Sequence, residues 1–213
     1  MPVRKIPISH SSVTGRHALG PGKDSVGYES TLERDFVSLM TFDPGVTGIE
    51  EQPVRIEYED SEGRQRHYTP DYLIERQNKP TLLAEIKPTK FITHDLDDKF
   101  EAAKLFAAKR GWVFEVWTEK VIRTPRLQNV RFLLGYRDYP ADPGRAARIL
   151  KQMESDGPMA VEQLLNACWN SDEEERARGL GALWNLVAVG KLQADLDREL
   201  TMESILKIPG RPS

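Results

Sequence analysis

Residues 68–87 read YTPDYLIERQNKPTLLAEIK, two strand-like runs joined by the polar turn Arg76-Gln77-Asn78-Lys79-Pro80. Side chains at i and i+2 of a strand share a face, so Glu85 and Lys87 point together while Ile86 points away. Asp71 lies far enough upstream for its strand to turn back and run beside that of Glu85. Pro70 has no amide donor, which suits a strand start or edge and leaves Asp71 at a local irregularity where its carboxylate can turn toward solvent or metal. An Asp, a Glu and a Lys meeting on adjacent strands suit metal-dependent cleavage of a phosphodiester. The carboxylates supply hard oxygen ligands for Mg²⁺, and the lysine orients water or stabilises charge on the phosphate.

Upstream, Leu32, Phe36 and Leu39 or Met40 repeat at i, i+4, i+7, which predicts an amphipathic helix stopped by Asp43-Pro44-Gly45. Glu29 and Glu33 are i and i+4 and share a face about one turn apart. Taken singly, each reads better as a solvated surface acid, and gains weight only because a metal-binding strand pair follows. Residues 46–52 read as a connector, 54–58 as a strand alternating at period 2, and 59–63 as a polar turn leading into a strand over 67–75. The first 27 residues are rich in Gly, Pro, Ser and His and carry Arg4, Lys5, Arg16 and Lys23 against Asp24 alone. They read as a flexible basic arm; in a second reading the arm lies along a phosphate backbone.

Downstream, 81–87 is a strand ended by Pro88. Residues 95–110 form a helix with Leu96, Phe100, Ala103 and Ala107 on one stripe, a Thr93 or Asp95 cap, and Gly111 just past its end. The run 112–117 has the β-rich composition of a central strand, and a short helix follows around 126–134. The order helix, three strands, helix, strand predicts an α/β fold, a mixed sheet with helices on its faces. Residues 137–145, RDYPADPGR, read as a linker. Helices over 146–153, 161–169 and 173–189 and a short strand or wing over 190–196 then predict a winged-helix-like domain over 146–213.

A chain of 213 residues accommodates one ordinary domain and a small second one, and 39% hydrophobic with 30% charged residues excludes disorder throughout. The formal charge of −3 gives no global sign of nucleic-acid binding, so any such binding must come from local patches. Cys168 is the sole cysteine and the four histidines are scattered, which excludes an internal disulfide and a cysteine-rich zinc site. No signal-peptide core and no apolar run of membrane-spanning length is present, so a cytoplasmic location and no membrane partner are expected.

Pro70-Asp71 followed by Glu85-x-Lys87 within this element order resembles the restriction-endonuclease-like superfamily, with its PD-(D/E)xK motif. The finer resemblance, over about 28–135, is to TnsA, the endonuclease subunit of heteromeric bacterial transposases. It is carried by ESTLERDF (29–36), FDPGV (42–46), EEQP (50–53), YTPDYLI (68–74), AEIKP (84–88) and TEK (118–120). It implies a nuclease domain over 28–136 with catalytic Glu33, Asp71, Glu85 and Lys87, Glu33 preferred over Glu29 as the helix acid. It further implies Mg²⁺, with Mn²⁺ able to substitute, held by Glu33, Asp71, Glu85 and the Ile86 carbonyl, and Lys87 positioning water or phosphate. Lys87 as a snorkelling strand-end lysine is the plain alternative. The implied substrate is double-stranded DNA at transposon ends, cut on the 5′ strands. A DDE transposase of the TnsB type would cut the 3′ ends, and an AAA+ ATPase of the TnsC type would regulate. The acidic start of the helix at 173–189 favours protein docking over base reading for the C-terminal domain. A stand-alone restriction or repair nuclease of the same fold, and a non-catalytic DNA-binding adaptor, share enough of these features to stay open.

Overall fold

A computed structural model describes residues 15–18, 25–170 and 172–210. The chain divides into two compact units, Met1–Arg123 and Thr124–Ser213.

The first unit opens with β1 (Gly15–Ala18) and β2 (Ser25–Tyr28), an antiparallel ribbon. Seven of these eight residues, all but Tyr28, fall in the irregular arm expected up to residue 27 and differ from it. Val26 is buried, and the Tyr72 hydroxyl donates to the Gly27 carbonyl at 2.8 Å, so tertiary contacts order a stretch with no period of its own. The remainder of that arm lies outside the described residues.

Helix α1 (Thr31–Phe42) follows the expected pattern. Ser30 caps it by accepting the Glu33 amide at 3.1 Å, and Leu32, Phe36, Val37, Leu39 and Met40 are buried. Its end is set by Asp43, whose carboxylate accepts the Gly45 amide at 2.8 Å to form the turn.

The expected connector at 46–52 is instead a strand, β3 (Val46–Glu51), paired antiparallel to a later strand. Gly48, Glu50 and Glu51 give it little strand propensity alone; a waiting edge supplies the missing stability. At Gly48 a Cβ would stand 2.7 Å from the Glu75 carboxylate, so a larger residue would have to displace that side chain.

β4 (Ile56–Glu59) and β5 (Gln65–Tyr68) form a separate two-stranded sheet. Its turn is organised by Asp60, which accepts the Arg64 amide at 2.9 Å and the Arg66 side chain at 3.0 Å; these bonds hold its carboxyl well below the usual range. The single strand expected over 67–75 is therefore broken. Tyr68 closes β5, and β6 (Tyr72–Arg76) begins after Thr69-Pro70-Asp71, where the proline removes a ladder donor.

β6 pairs antiparallel with β7 (Leu82–Ile86), all five residues of which are buried. Short 3₁₀ turns at Thr89–Phe91 and His94–Leu96 lead into α2 (Asp97–Ala108), and Gly111 at φ +70° lets the chain reverse into β8 (Val113–Trp117). Neither expected cap, Thr93 nor Asp95, caps α2; its N-cap position is Leu96, with no side-chain cap bond. The four-stranded sheet runs β3-β6-β7-β8, with β8 parallel to β7. The expected mixed sheet is present, with 46–51 rather than 54–58 as its first strand. β8 is an edge strand, not a central one. Both faces near it are covered, by Phe36 of α1 against Trp117 at 5.1 Å and by Phe100 of α2 against Phe114 at 5.8 Å, so an edge can be as apolar as a centre. Ile56, Tyr68, Leu83, Ala103 and Ala107 form one core cluster on the α2 side. A single turn, α3 (Glu119–Ile122), ends the unit, and Arg123 binds the buried Asp35 at 3.0 Å.

The second unit contains α4 (Pro125–Leu134), α5 (Pro143–Asp156), β9 (Met159–Ala160), α6 (Val161–Trp169), α7 (Glu173–Ala188) and β10 (Ile205–Leu206). The division at 123/124 falls before the 136/137 boundary read from the sequence. In α4, Leu127, Val130 and Leu133 are buried, and Asn129 Nδ2 donates to the carbonyls of Leu196 and Arg198 at 2.8 and 2.7 Å. The start of the stretch 137–145 is held by Asn185, whose Nδ2 lies 3.2 Å from the Arg137 carbonyl and 3.4 Å from that of Tyr139. α5 starts at Pro143, earlier than 146, because Asp142 caps it and proline suits the first helical position. Within 190–196, the described residues carry only a bridge, Gln193 to Lys207, while β10 pairs antiparallel with β9.

Candidate active site

Leu83 of β7 packs with Ala103 and Ala107 of α2, so Glu85, two residues on, is delivered to the same face. Asp71 sits in the break between β5 and β6. Its amide donates to the Ala84 carbonyl at 3.1 Å and its Oδ2 accepts the Ile86 amide at 2.7 Å. The break thus folds the Asp71 carboxylate back across β7 beside Glu85, which explains how a residue outside any ladder is held in place.

Glu85 is almost wholly buried. Its Oε2 accepts the Tyr68 hydroxyl at 2.6 Å and its Oε1 faces Lys99 Nζ at 3.0 Å. Lys87 follows β7; its amide donates to the Trp117 carbonyl at 3.0 Å, and its Nζ lies 3.7 Å from Glu85 Oε1. Glu33 occupies the first turn of α1 and accepts the Glu29 amide at 2.8 Å, the Ser30 hydroxyl at 2.9 Å and the Tyr72 hydroxyl at 3.3 Å. Glu29 is turned toward Gln52 Nε2 at 3.3 Å.

The electrostatics link these groups. Burial, then the charges of Glu85 and Glu33, push the Asp71 carboxyl well above the usual range, with Lys99 among the opposing influences. Burial likewise raises Glu33, against the hydrogen bonds from Glu29 and Ser30. Tyr68 and Tyr72 are pushed up by burial and by Glu85 and Glu33 respectively, so both remain neutral donors. Of the four residues expected from the sequence, Asp71, Glu85 and Lys87 converge, and Glu33 is within electrostatic reach of Asp71. Each acid is turned onto a protein donor, and among the described residues no three acids, cysteines or histidines stand as a formed metal shell.

Sequence reading missed Tyr68, Tyr72 and Lys99. The first two are ordinary strand aromatics in sequence. Lys99 left a readable sign: it falls at i, i+4, i+8 with Ala103 and Ala107, a lysine in the sheet-facing stripe of α2.

Residues 43–119 match the family described as TnsA-like endonuclease N terminal, a span from the end of α1 to the start of α3 that contains Asp71, Glu85, Lys87 and Lys99. No curated protein matches the chain. No helix among the described residues is long and apolar enough to cross a membrane.

Proposed function

From a domain that belongs to the TnsA type of endonuclease through residues 43–119, we propose a divalent-metal-dependent DNA endonuclease that cleaves the 5′ strands at transposon ends, working as one subunit of a TnsA/TnsB-type transposase. The observation that carries the proposal is the fold of Asp71 across β7, bonded to the Ile86 amide and facing the charge of Glu85, with Lys87 one register step beyond.

The donor set fits Mg²⁺. Asp71, Glu85 and Glu33 are hard oxygen donors, and mutual repulsion plus burial leaves Asp71 and Glu33 with raised affinity for a positive partner. Asp71, Glu85, the Ile86 carbonyl and Glu33 would hold the ion; bound there, it supplies Lewis-acid activation of water and neutralisation of phosphate charge. Mn²⁺ offers the same preference for oxygen ligands. Lys87 is the side chain left to hold the scissile phosphate or the attacking water, since it stands 3.7 Å from Glu85, beyond hydrogen-bond reach. Tyr68 donates a hydrogen bond to Glu85 that fixes its orientation, and the Tyr72 hydroxyl stands 3.3 Å from Glu33.

The second unit is read as a winged-helix-like module, supported by its order α5, β9, α6, α7, a bridge at Gln193 and β10. A docking role toward a TnsC-type ATPase or the transposase itself is supported by the charge of α7. Its first turn holds Glu173, Glu174 and Glu175, while Arg176 pairs with Glu162 at 2.6 Å and Arg178 with Glu174 and Glu175, leaving both arginines committed to carboxylates rather than phosphates.

The test is strand-specific cleavage of a transposon-end duplex with Mg²⁺, with and without the neighbouring transposase proteins. Asp71→Ala and Lys87→Ala are expected to abolish cleavage. Full activity in either variant would refute the assignment, and vigorous cleavage by the isolated protein would favour a stand-alone nuclease.

A further inference from the structure

Glu85 is gripped at both oxygens, by the Tyr68 hydroxyl at 2.6 Å and by Lys99 at 3.0 Å. Lys99 comes from α2, outside the Pro-Asp and Glu-x-Lys stretches. Its ammonium also lies 4.4 Å from the Tyr68 ring centroid and 5.2 Å from that of Phe100, so two aromatic faces and one carboxylate fix it. Lys87 is farther from Glu85, at 3.7 Å, and its side chain is the more exposed, 27% against 17%.

We infer that Lys99 is the resident counter-ion and positioning residue of Glu85, and that its presence is what leaves Lys87 free for phosphate or water. A carboxylate with 6% of its side chain exposed is strongly disfavoured without a cation. Two lysines stand near it among the described residues. If Lys99 were absent, Lys87 would close the remaining distance onto Oε1 and be lost to the substrate, while Glu85 would lose the partner that fixes its plane. The two lysines therefore divide the work: one neutralises and orients, the other acts. The counter-ion half of the inference stands on geometry alone; the consequence for Lys87 rests on the nuclease reading.

The experiment combines a thermal-unfolding cycle on the full chain in EDTA with cleavage kinetics. Lys99→Met is expected to lower Tm by several degrees, Glu85→Gln with Lys99→Met to recover most of the loss, and Lys99→Arg to lie near wild type. If Lys99→Met does not fold, recovery of a folded protein in the double variant carries the same meaning. A loss of equal size whether Glu85 is intact or already replaced by glutamine would overturn the inference, since Lys99 would then merely pack on Tyr68 and Phe100. In the cleavage assay, Lys99→Met is expected to lower kcat about 10- to 100-fold with little change in KM for DNA, and Lys99→Arg to restore it. Unchanged kcat in an active enzyme would overturn the division of labour. A wild-type protein without cleavage even in the presence of the neighbouring transposase proteins would instead count against the nuclease reading, with the unfolding cycle still deciding the role of Lys99.

Discussion

Asp71→Asn is expected to make the metal-free protein more stable while destroying its activity. The carboxylate of Asp71 is held above the usual range by burial and by the charges of Glu85 and Glu33, and this net elevation already contains the favourable bond from the Ile86 amide. A carboxyl whose folded-state pKa lies above its unfolded value near 4 contributes stability that is fully present below that value and is lost as pH rises through the folded pKa. At neutral pH this carboxyl therefore costs the folded state stability. Asparagine has the same shape and keeps an acceptor for the Ile86 amide, so it removes the charge with little other change. Relief of this kind at functional sites is worth about 0.5–2 kcal/mol, or roughly 2–8 °C in Tm for a unit of this size. Calorimetric scans in EDTA would show the variant ahead at pH 8, with the gap narrowing as pH falls toward 4. Adding Mg²⁺ would raise Tm in wild type by mass action and much less in the variant. A variant that melts at or below wild type at pH 8, or a gap that does not depend on pH, would refute the reasoning.

Two further perturbations probe the scaffold. Ser30→Ala removes the cap of α1 and the hydroxyl that Glu33 accepts at 2.9 Å; a loss of about 1 kcal/mol in denaturant melts, with slower cleavage, is expected, and unaltered stability would show the cap to be idle. Asn129→Ala orphans the carbonyls of Leu196 and Arg198 and the Leu200 amide, and a loss of roughly 2–3 kcal/mol in the second unit's melting is expected, whereas a change under about 0.5 kcal/mol would contradict its role.

How far the fold could be read from the sequence follows from where its stabilising information lies. The stripe Leu32, Phe36, Leu39 and the apolar run 82–86 are local patterns, and α1 and β7 stand where those patterns put them. α6 begins and ends as read, at Val161 and Trp169. β3 escaped because its order comes from its partner: Gly48 lies against the Glu75 side chain, and Glu51 points to the Gly27 amide, neither of which leaves a period. Pro70 announced an irregularity, but not that it would divide one strand between two sheets. In the site, Asp71, Glu85 and Lys87 were legible because a motif joins them along the chain. Tyr68, Tyr72 and Lys99 reach the acids only through sheet pairing and helix packing, and a single sequence records that only as a lysine out of place in an apolar stripe.

The charge count at the site bears on why such a nuclease would stay quiet until assembled. Glu33, Asp71 and Glu85 face Lys87 and Lys99, three carboxyls against two ammonium groups, so with the acids ionised the metal-free pocket offers no net attraction to a phosphate. The whole chain, at −3, adds none. Under the proposed function, binding of DNA must then come from a bound cation and from partners that carry the duplex, and the protein's own basic side chains serve mainly to hold Glu85 and to meet the phosphate once it arrives. An isolated protein that binds DNA tightly in EDTA would break this chain of reasoning at its first link, because it would locate the affinity outside the site and independent of the metal.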